Sequence, residues 1–270
     1  MLRRAQFAGG FYDASPERLR HSFDKWFATA TLPEGLAQPL GVIVPHAGYI
    51  YSGACAAYAY KLLSHYDIHT AVLIHPSHRA NHFGYSVSPY TEYQTPLGQL
   101  KRRDDWAEGL SGAETVDSYY HQNEHSMEVQ LPFLVYIKPQ ITVLPVMIGR
   151  QSRPVSEVLA NEIFTLVKAE WKHTIIIVST DLSHYHNIRE AERLDKALIE
   201  HLTQGRLEEF YDSIVTQKTE ACGYAGVLSL MYMQKKFPST RMVELHYTHS
   251  GFTSGDFSQV VGYLAAAMVR

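Results

Sequence analysis

Three short apolar runs, rich in β-branched residues, each lead into histidine. Gly41-Val-Ile-Val-Pro45 runs into His46, Ala71-Val-Leu-Ile74 into His75 and His78, and Ile175-Ile-Ile-Val-Ser179 into Asp181 and His184. Apolar runs without alternation describe strands covered on both faces, as in helix-flanked parallel sheets. In open sheets of that kind, ligands collect beyond the carboxyl ends of the strands, so the histidines are expected to converge at one edge. A single histidine after a strand is ordinarily a structural or surface residue. Three at equivalent strand ends, with a carboxylate beside them, describe a transition-metal or proton-transfer site, because imidazole binds metal when neutral and exchanges protons near neutral pH.

The rest of the pattern supports the same class. Ser15 caps and Pro16 opens a helix that repeats Leu19, Phe23, Trp26 and Phe27 at helical spacing. A helix capped by Ser52 is expected to run to Tyr66. Further helices are expected over residues 154–170, 187–203, 206–215 and 224–236. Strands are expected at 70–74, 85–88, 90–94, 141–147, 173–179, 241–248 and 259–268. Lys101-Arg102-Arg103, followed at once by Asp104-Asp105, reads as a solvated loop or helix start. The expectation is an α/β fold, one domain over 1–270, whose mostly buried central mixed sheet is flanked by helices.

Composition narrows the partners. With 46% hydrophobic and 19% charged residues in 270, the chain has ample material for a core, and a net charge of −3 provides no basic footprint for nucleic acid. No apolar stretch approaches the roughly 20 residues that span a bilayer, and Met1 to Ser15 lacks the apolar region of a signal peptide. Only two cysteines, Cys55 and Cys222, are present, which fits a reducing compartment. A cytoplasmic protein is expected.

The residues suited to chemistry cluster in five places. His46 leaves a glycine-bearing strand-to-helix passage, and Pro76 ends strand pairing so that His78 leaves the sheet. Both are candidate nitrogen ligands. His121, Glu124, His125 and Glu128 share a stripe if residues 123–135 form one helix. That stripe is either solvated or turns His125 and Glu128 toward the site. Asp181 precedes His184 by three residues and is placed to orient it, which makes His184 the candidate general base. A Ser179, His184, Asp181 hydrolase triad can also be drawn, but no G-x-S-x-G elbow accompanies it. Cys222 lies just ahead of an apolar helix, where the positive helix end favours thiolate, while Cys55 in an alanine-rich helix reads as a small core residue.

Pro45-His-Ala-Gly-Tyr49, Pro76-Ser-His78, Glu124-His-Ser-x-Glu128, Ser179-x-Asp-x-x-His184 and Cys222-Gly223 together resemble the Memo family. Ala8-Gly-Gly-Phe-Tyr12 and Ser254-Gly-Asp256 extend the match nearly end to end. The resemblance implies the fold of class III, LigB-type non-haem iron extradiol dioxygenases. It also implies a metal on His46, His78 and Cys222, with Asp181 and His184 as the pocket's acid and base. It further implies association with radical-SAM and AMMECR1-like proteins. The chain departs from the family pattern at His75, where glycine is commoner. Cysteine replaces the dioxygenases' carboxylate ligand, which changes redox behaviour and softness and counts against ring cleavage.

The leading expectation is a metal-dependent oxidoreductase carrying Fe, Cu or Zn, with His184, Asp181, His125 and Glu128 around the metal. A non-enzymatic metal- or peptide-binding protein of a redox or modification pathway, and a zinc-dependent hydrolase, are the alternatives.

Overall fold

A computed structural model describes residues 1–270. In chain order the elements are β1 (Leu2–Arg3), α1 (Pro16–Thr29), β2 (Pro39–Val44), α2 (Tyr49–Ser64), β3 (Thr70–Pro76), β4 (Tyr85–Val87), β5 (Glu92–Thr95) and β6 (Gly98–Arg102). Four short helices follow: α3 (Asp104–Ala107), α4 (Ser118–Gln122), α5 (His125–Glu128) and α6 (Leu131–Ile137). Then come β7 (Thr142–Ile148), α7 (Arg153–Val167), β8 (Thr174–Ser179), β9 (His184–His186), α8 (Ile188–Thr203), α9 (Leu207–Val215) and α10 (Tyr224–Gln234). The chain closes with β10 (Arg241–His249), α11 (Gly251–Ser254) and β11 (Val260–Val269).

The strands form one mixed sheet in the order β1-β5-β6-β7-β3-β8-β2-β11-β10, with β4 on β7 and β9 on β11. Its centre, β7-β3-β8-β2, is parallel. The unalternating runs are explained by two cores, one on each face. Val42, Val44, Ala71, Leu73, Ile175 and Ile177 pack with α1, α2 and α6 on one side. Ile43, Val72, Ile74, Ile176 and Val178 pack with α7 and α10 on the other. Each of the larger side chains stabilises the fold by about 1.5–3 kcal/mol through burial. Register pairs Val44 with Ser179 and Ile74 with Val178, so β2, β3 and β8 end together. That edge is where the histidines emerge.

Three expectations are corrected. Ser52 does not cap α2. The helix begins three residues earlier behind Gly48, Tyr49 N–H is held by the Phe11 carbonyl, and Ser52 Oγ instead bonds the Ala47 carbonyl at 2.8 Å. Lys101 and Arg102 belong to β6 rather than a loop, because Lys101 pairs with both Glu92 and Thr142. Residues 123–135 are not one helix. Glu124 caps α5 by accepting from Ser126 N–H, and Pro132, which has no N–H to give a preceding turn, opens α6. The stripe read from helical spacing is therefore broken, and its members point to different places.

Candidate metal centre

His46, His78 and His125 present ring nitrogens that all lie within 4.8 Å of one another. Their centroids are 4.6 to 5.3 Å apart. His46 leaves β2, His78 leaves β3, and His125 comes from α5, which packs over the end of β3. Cys222 reaches the group through His46, with Sγ 3.1 Å from Nε2.

The state of His46 follows from its neighbours. The Ser179 hydroxyl donates its single proton to the Ser126 carbonyl at 2.7 Å, so at 2.8 Å its oxygen accepts from His46 Nδ1–H. Nε2 therefore carries the lone pair facing Cys222. Burial, followed by the neighbouring histidines, pushes the His46 pKa well down and keeps the ring neutral. Gln130 fixes the arrangement from behind, donating to the Pro45 carbonyl at 3.0 Å and to Ser179 Oγ at 3.2 Å.

His78 is set by Glu124. One carboxylate oxygen lies 2.9 Å from His78 Nδ1 and the other accepts the His78 main-chain N–H at 2.7 Å, which leaves Nε2 free. A carboxylate behind a histidine is the usual way to orient a metal-binding imidazole and raise its basicity. Burial opposes charge on His78, but the bond and charge of Glu124 outweigh it and the pKa rises. Glu124 is buried, which favours its acid form, yet His78 holds it well below the usual carboxylate range. His125, 3.3 Å from the same carboxylate, is pushed down to about 4 by burial.

Cys222 differs from its sequence reading. Burial, then the nearby Asp181, pushes the thiol pKa up, so it keeps its proton despite its place ahead of α10. Asp181 N–H points at Sγ from 3.2 Å. Asp181 is buried, and its carboxylate accepts the His46 main-chain N–H at 2.8 Å. Desolvation raises its pKa to about 7. It does not orient His184, whose main-chain N–H donates to Glu220 at 3.2 Å and whose pKa burial lowers. Both residues line a cavity of about 370 Å³ with Tyr51, Tyr185 and Tyr263, a volume that suits a small ligand.

Other residues go elsewhere. Glu128 is buried against the amino-terminal segment, bonding Arg3, the N–H groups of Gln6 and Phe7, and the Tyr12 hydroxyl. His121 meets Ser86 on β4. His75 stays outside the three-imidazole group, with Nδ1 3.0 Å from Ser126 Oγ and Nε2 without a partner. Ser179 serves His46 and not His184, so the hydrolase triad is not assembled. Cys55 is a buried residue of α2. The roles of Ser179, Gln130 and Glu124 toward the histidines are absent from the sequence reading. Glu124 had a signal one residue before His125, Ser179 had one that pointed to His184 rather than His46, and Gln130 had none.

The donor chemistry fits a transition metal: a neutral His46 whose tautomer Ser179 fixes, a His78 ring oriented by the carboxylate behind it, a third imidazole at His125, and a thiol able to ionise on binding. The fold and this cluster define an α/β protein with a candidate metal-binding edge at the carboxyl ends of its parallel strands. The Memo-like protein family model matches residues 3–267, and the chain belongs to that family. It is 35% identical to a MEMO1 family protein of Methanosarcina barkeri over 98% of both chains. It is 34% identical to one of Thermoplasma volcanium, covering 100% of this chain and 99% of the other. It is 35% identical to one of Thermotoga petrophila, covering 99% and 100%. The crystal structure of an uncharacterized protein from Escherichia coli K12 shares the fold, with a TM-score of 0.52 at 12% identity over 84% of this chain and 98% of that one. No helix is long and apolar enough to cross a membrane.

Proposed function

We propose that the protein is a metal-dependent oxidoreductase whose metal is held by His46, His78 and Cys222, with His125 at its side. The observation that carries this reading is the convergence of three imidazoles from separate elements, with Cys222 Sγ 3.1 Å from His46 Nε2. A set of imidazole and thiolate selects Fe, Cu or Zn over Mg or Ca. When bound, such a metal supplies Lewis acidity and, for Fe or Cu, electron transfer.

The chain's own groups do the remainder. Glu124 and Ser179 keep Nε2 of His78 and His46 aimed inward. Asp181, with its pKa near 7, can exchange protons around neutral pH with a ligand in the adjoining cavity, and His184, whose pKa burial lowers, faces the same space as a base. Glu128 contributes by anchoring the amino-terminal segment. The LigB-type relationship, a role beside radical-SAM and AMMECR1-like proteins, and a cytoplasmic setting belong to the same reading.

Anaerobic purification with elemental analysis, then loading with Fe²⁺, Cu⁺ or Zn²⁺ and measuring oxygen uptake, tests it. One equivalent of Fe or Cu with metal-dependent oxygen uptake supports it. Retention of Zn²⁺ alone with hydrolytic turnover, or metal uptake unchanged in His46→Ala, overturns it.

A further inference from the structure

At the opposite end of the same strands, Asp67, His69 and His173 place three ligand atoms within 4.8 Å of one another. We propose that these residues form a second metal site, for a divalent borderline ion such as Zn²⁺ or Ni²⁺, independent of the His46 group. From His69 to His75 the chain advances six residues along β3, roughly 20 Å at strand rise, so the two sites lie at opposite edges of the sheet.

The parallel register builds this site. Thr70 pairs with Thr174, so the preceding residues His69 and His173 stand side by side, and His69 N–H donates to the His173 carbonyl at 2.8 Å. Their rings lie 4.7 Å apart and within 9° of parallel, which is the spacing of neighbouring strands. Asp67 reaches across both, with Oδ1 2.9 Å from His69 Nε2 and Oδ2 3.3 Å from His173 Nδ1. Its main-chain carbonyl also lies 2.9 Å from His173 Nδ1. One carboxylate and two imidazoles are a recurrent zinc donor set, whose atoms around a tetrahedral ion sit about 3.4 Å apart. Contraction from the present spacing requires each ring to turn inward. The rings are 64% and 50% exposed, so the turn has to break only their mutual stacking and the His173 bond to the Asp67 carbonyl.

Two further features favour a ligand here. Asp67 and His69 line a cavity of about 360 Å³ with Lys138 and Gln140, so the remaining coordination positions open onto space for water or a small anion. His69 also accepts from Thr142 N–H at 2.9 Å, so an ion on His69 and His173 ties together the amino-terminal ends of β3, β7 and β8. The ion acts as a structural pin across three central strands.

The test is calorimetric titration of the full chain with Zn²⁺, in wild type and in a background where His78→Ala and Cys222→Ser disable the first site. Wild type takes up two equivalents and the background one. Adding His173→Gln or Asp67→Asn removes one equivalent from each and abolishes the rise in melting temperature that Zn²⁺ brings to the background. Substoichiometric Ni²⁺ broadens the ring Cε1–H signals of His69 and His173 in the background protein. No uptake by the background, uptake unaffected by His173→Gln, or sharp His69 and His173 signals in excess Ni²⁺ overturns the proposal. The outcomes in the background protein do not depend on whether the His46 group holds an ion in wild type.

Discussion

Arg3→Ala tests the account of how the site is braced. The guanidinium is 1% exposed and pairs with Glu128, which is fully buried. It also donates to the carbonyls of His121, at 3.0 Å, and of Gln122 and Glu124, each at 2.9 Å. Removing one partner of a buried pair leaves an uncompensated charge and costs about 3–5 kcal/mol. Three orphaned carbonyls would add about 1 kcal/mol each if they stayed dry, but the space left by the side chain can admit water that satisfies them. The expected loss is therefore about 3–5 kcal/mol, a large part of the roughly 5–15 kcal/mol typical of a folded domain. With a urea slope of about 3 kcal/mol/M, the unfolding midpoint falls by roughly 1–1.7 M. Because Arg3 fixes the backbone that presents Glu124 to His78, metal uptake weakens as well. Arg3→Met combined with Glu128→Leu should lose less than the two single changes summed, since each single change leaves a buried charge and the double change leaves none. A midpoint shift below about 0.3 M in a fully folded Arg3→Ala protein would refute the reasoning.

Cys222→Ser should sharply reduce metal content while Cys55→Ser leaves it nearly unchanged, measured by elemental analysis on folded protein; equal content in both removes Cys222 from the ligand set. His184→Ala should retain metal and lose about 10² to 10⁴ of any turnover, with a changed pH profile; loss of metal makes His184 a ligand instead. Glu124 raises the pKa of His78, so protons compete for that ring up to a higher pH, and metal affinity should climb as pH rises through the His78 titration. In Glu124→Gln the climb should move to lower pH while affinity at high pH drops about 10- to 100-fold, read by competition titration; an unmoved pH dependence counts against the pairing. Gly223→Ala would put a Cβ 2.5 Å from the Ser179 carbonyl oxygen and 2.9 Å from Thr180 Cβ, forcing the backbone beside Cys222 to shift. About 1–3 kcal/mol of stability and much of the metal affinity should be lost, by denaturation and metal titration.

The α/β class was legible because its signals are local. β-branched runs such as Ile175 to Val178 state their own burial, Ser15-Pro16 marks a helix start, and strands that end together carry His46 and His78 to one edge. The histidine convergence follows from strand direction, which a sequence can express. Partnership cannot be read in this way. Nothing near Arg3 announces Glu128, 125 residues away, and nothing near Ser179 says that its hydroxyl belongs to His46 rather than to His184. The helical stripe at 121–128 failed because Glu124 turned its carboxylate to its own helix start and to His78, an exchange only the folded loop makes available. The Cys222 pKa reversed for a similar reason, since a helix end acts locally while burial depends on everything packed around the sulfur. Periodicity and chain direction determined where these side chains arrive. Tertiary packing alone decided which atoms they meet and which protons they hold, because hydrogen bonding and desolvation depend on distance in space and not on separation along the chain.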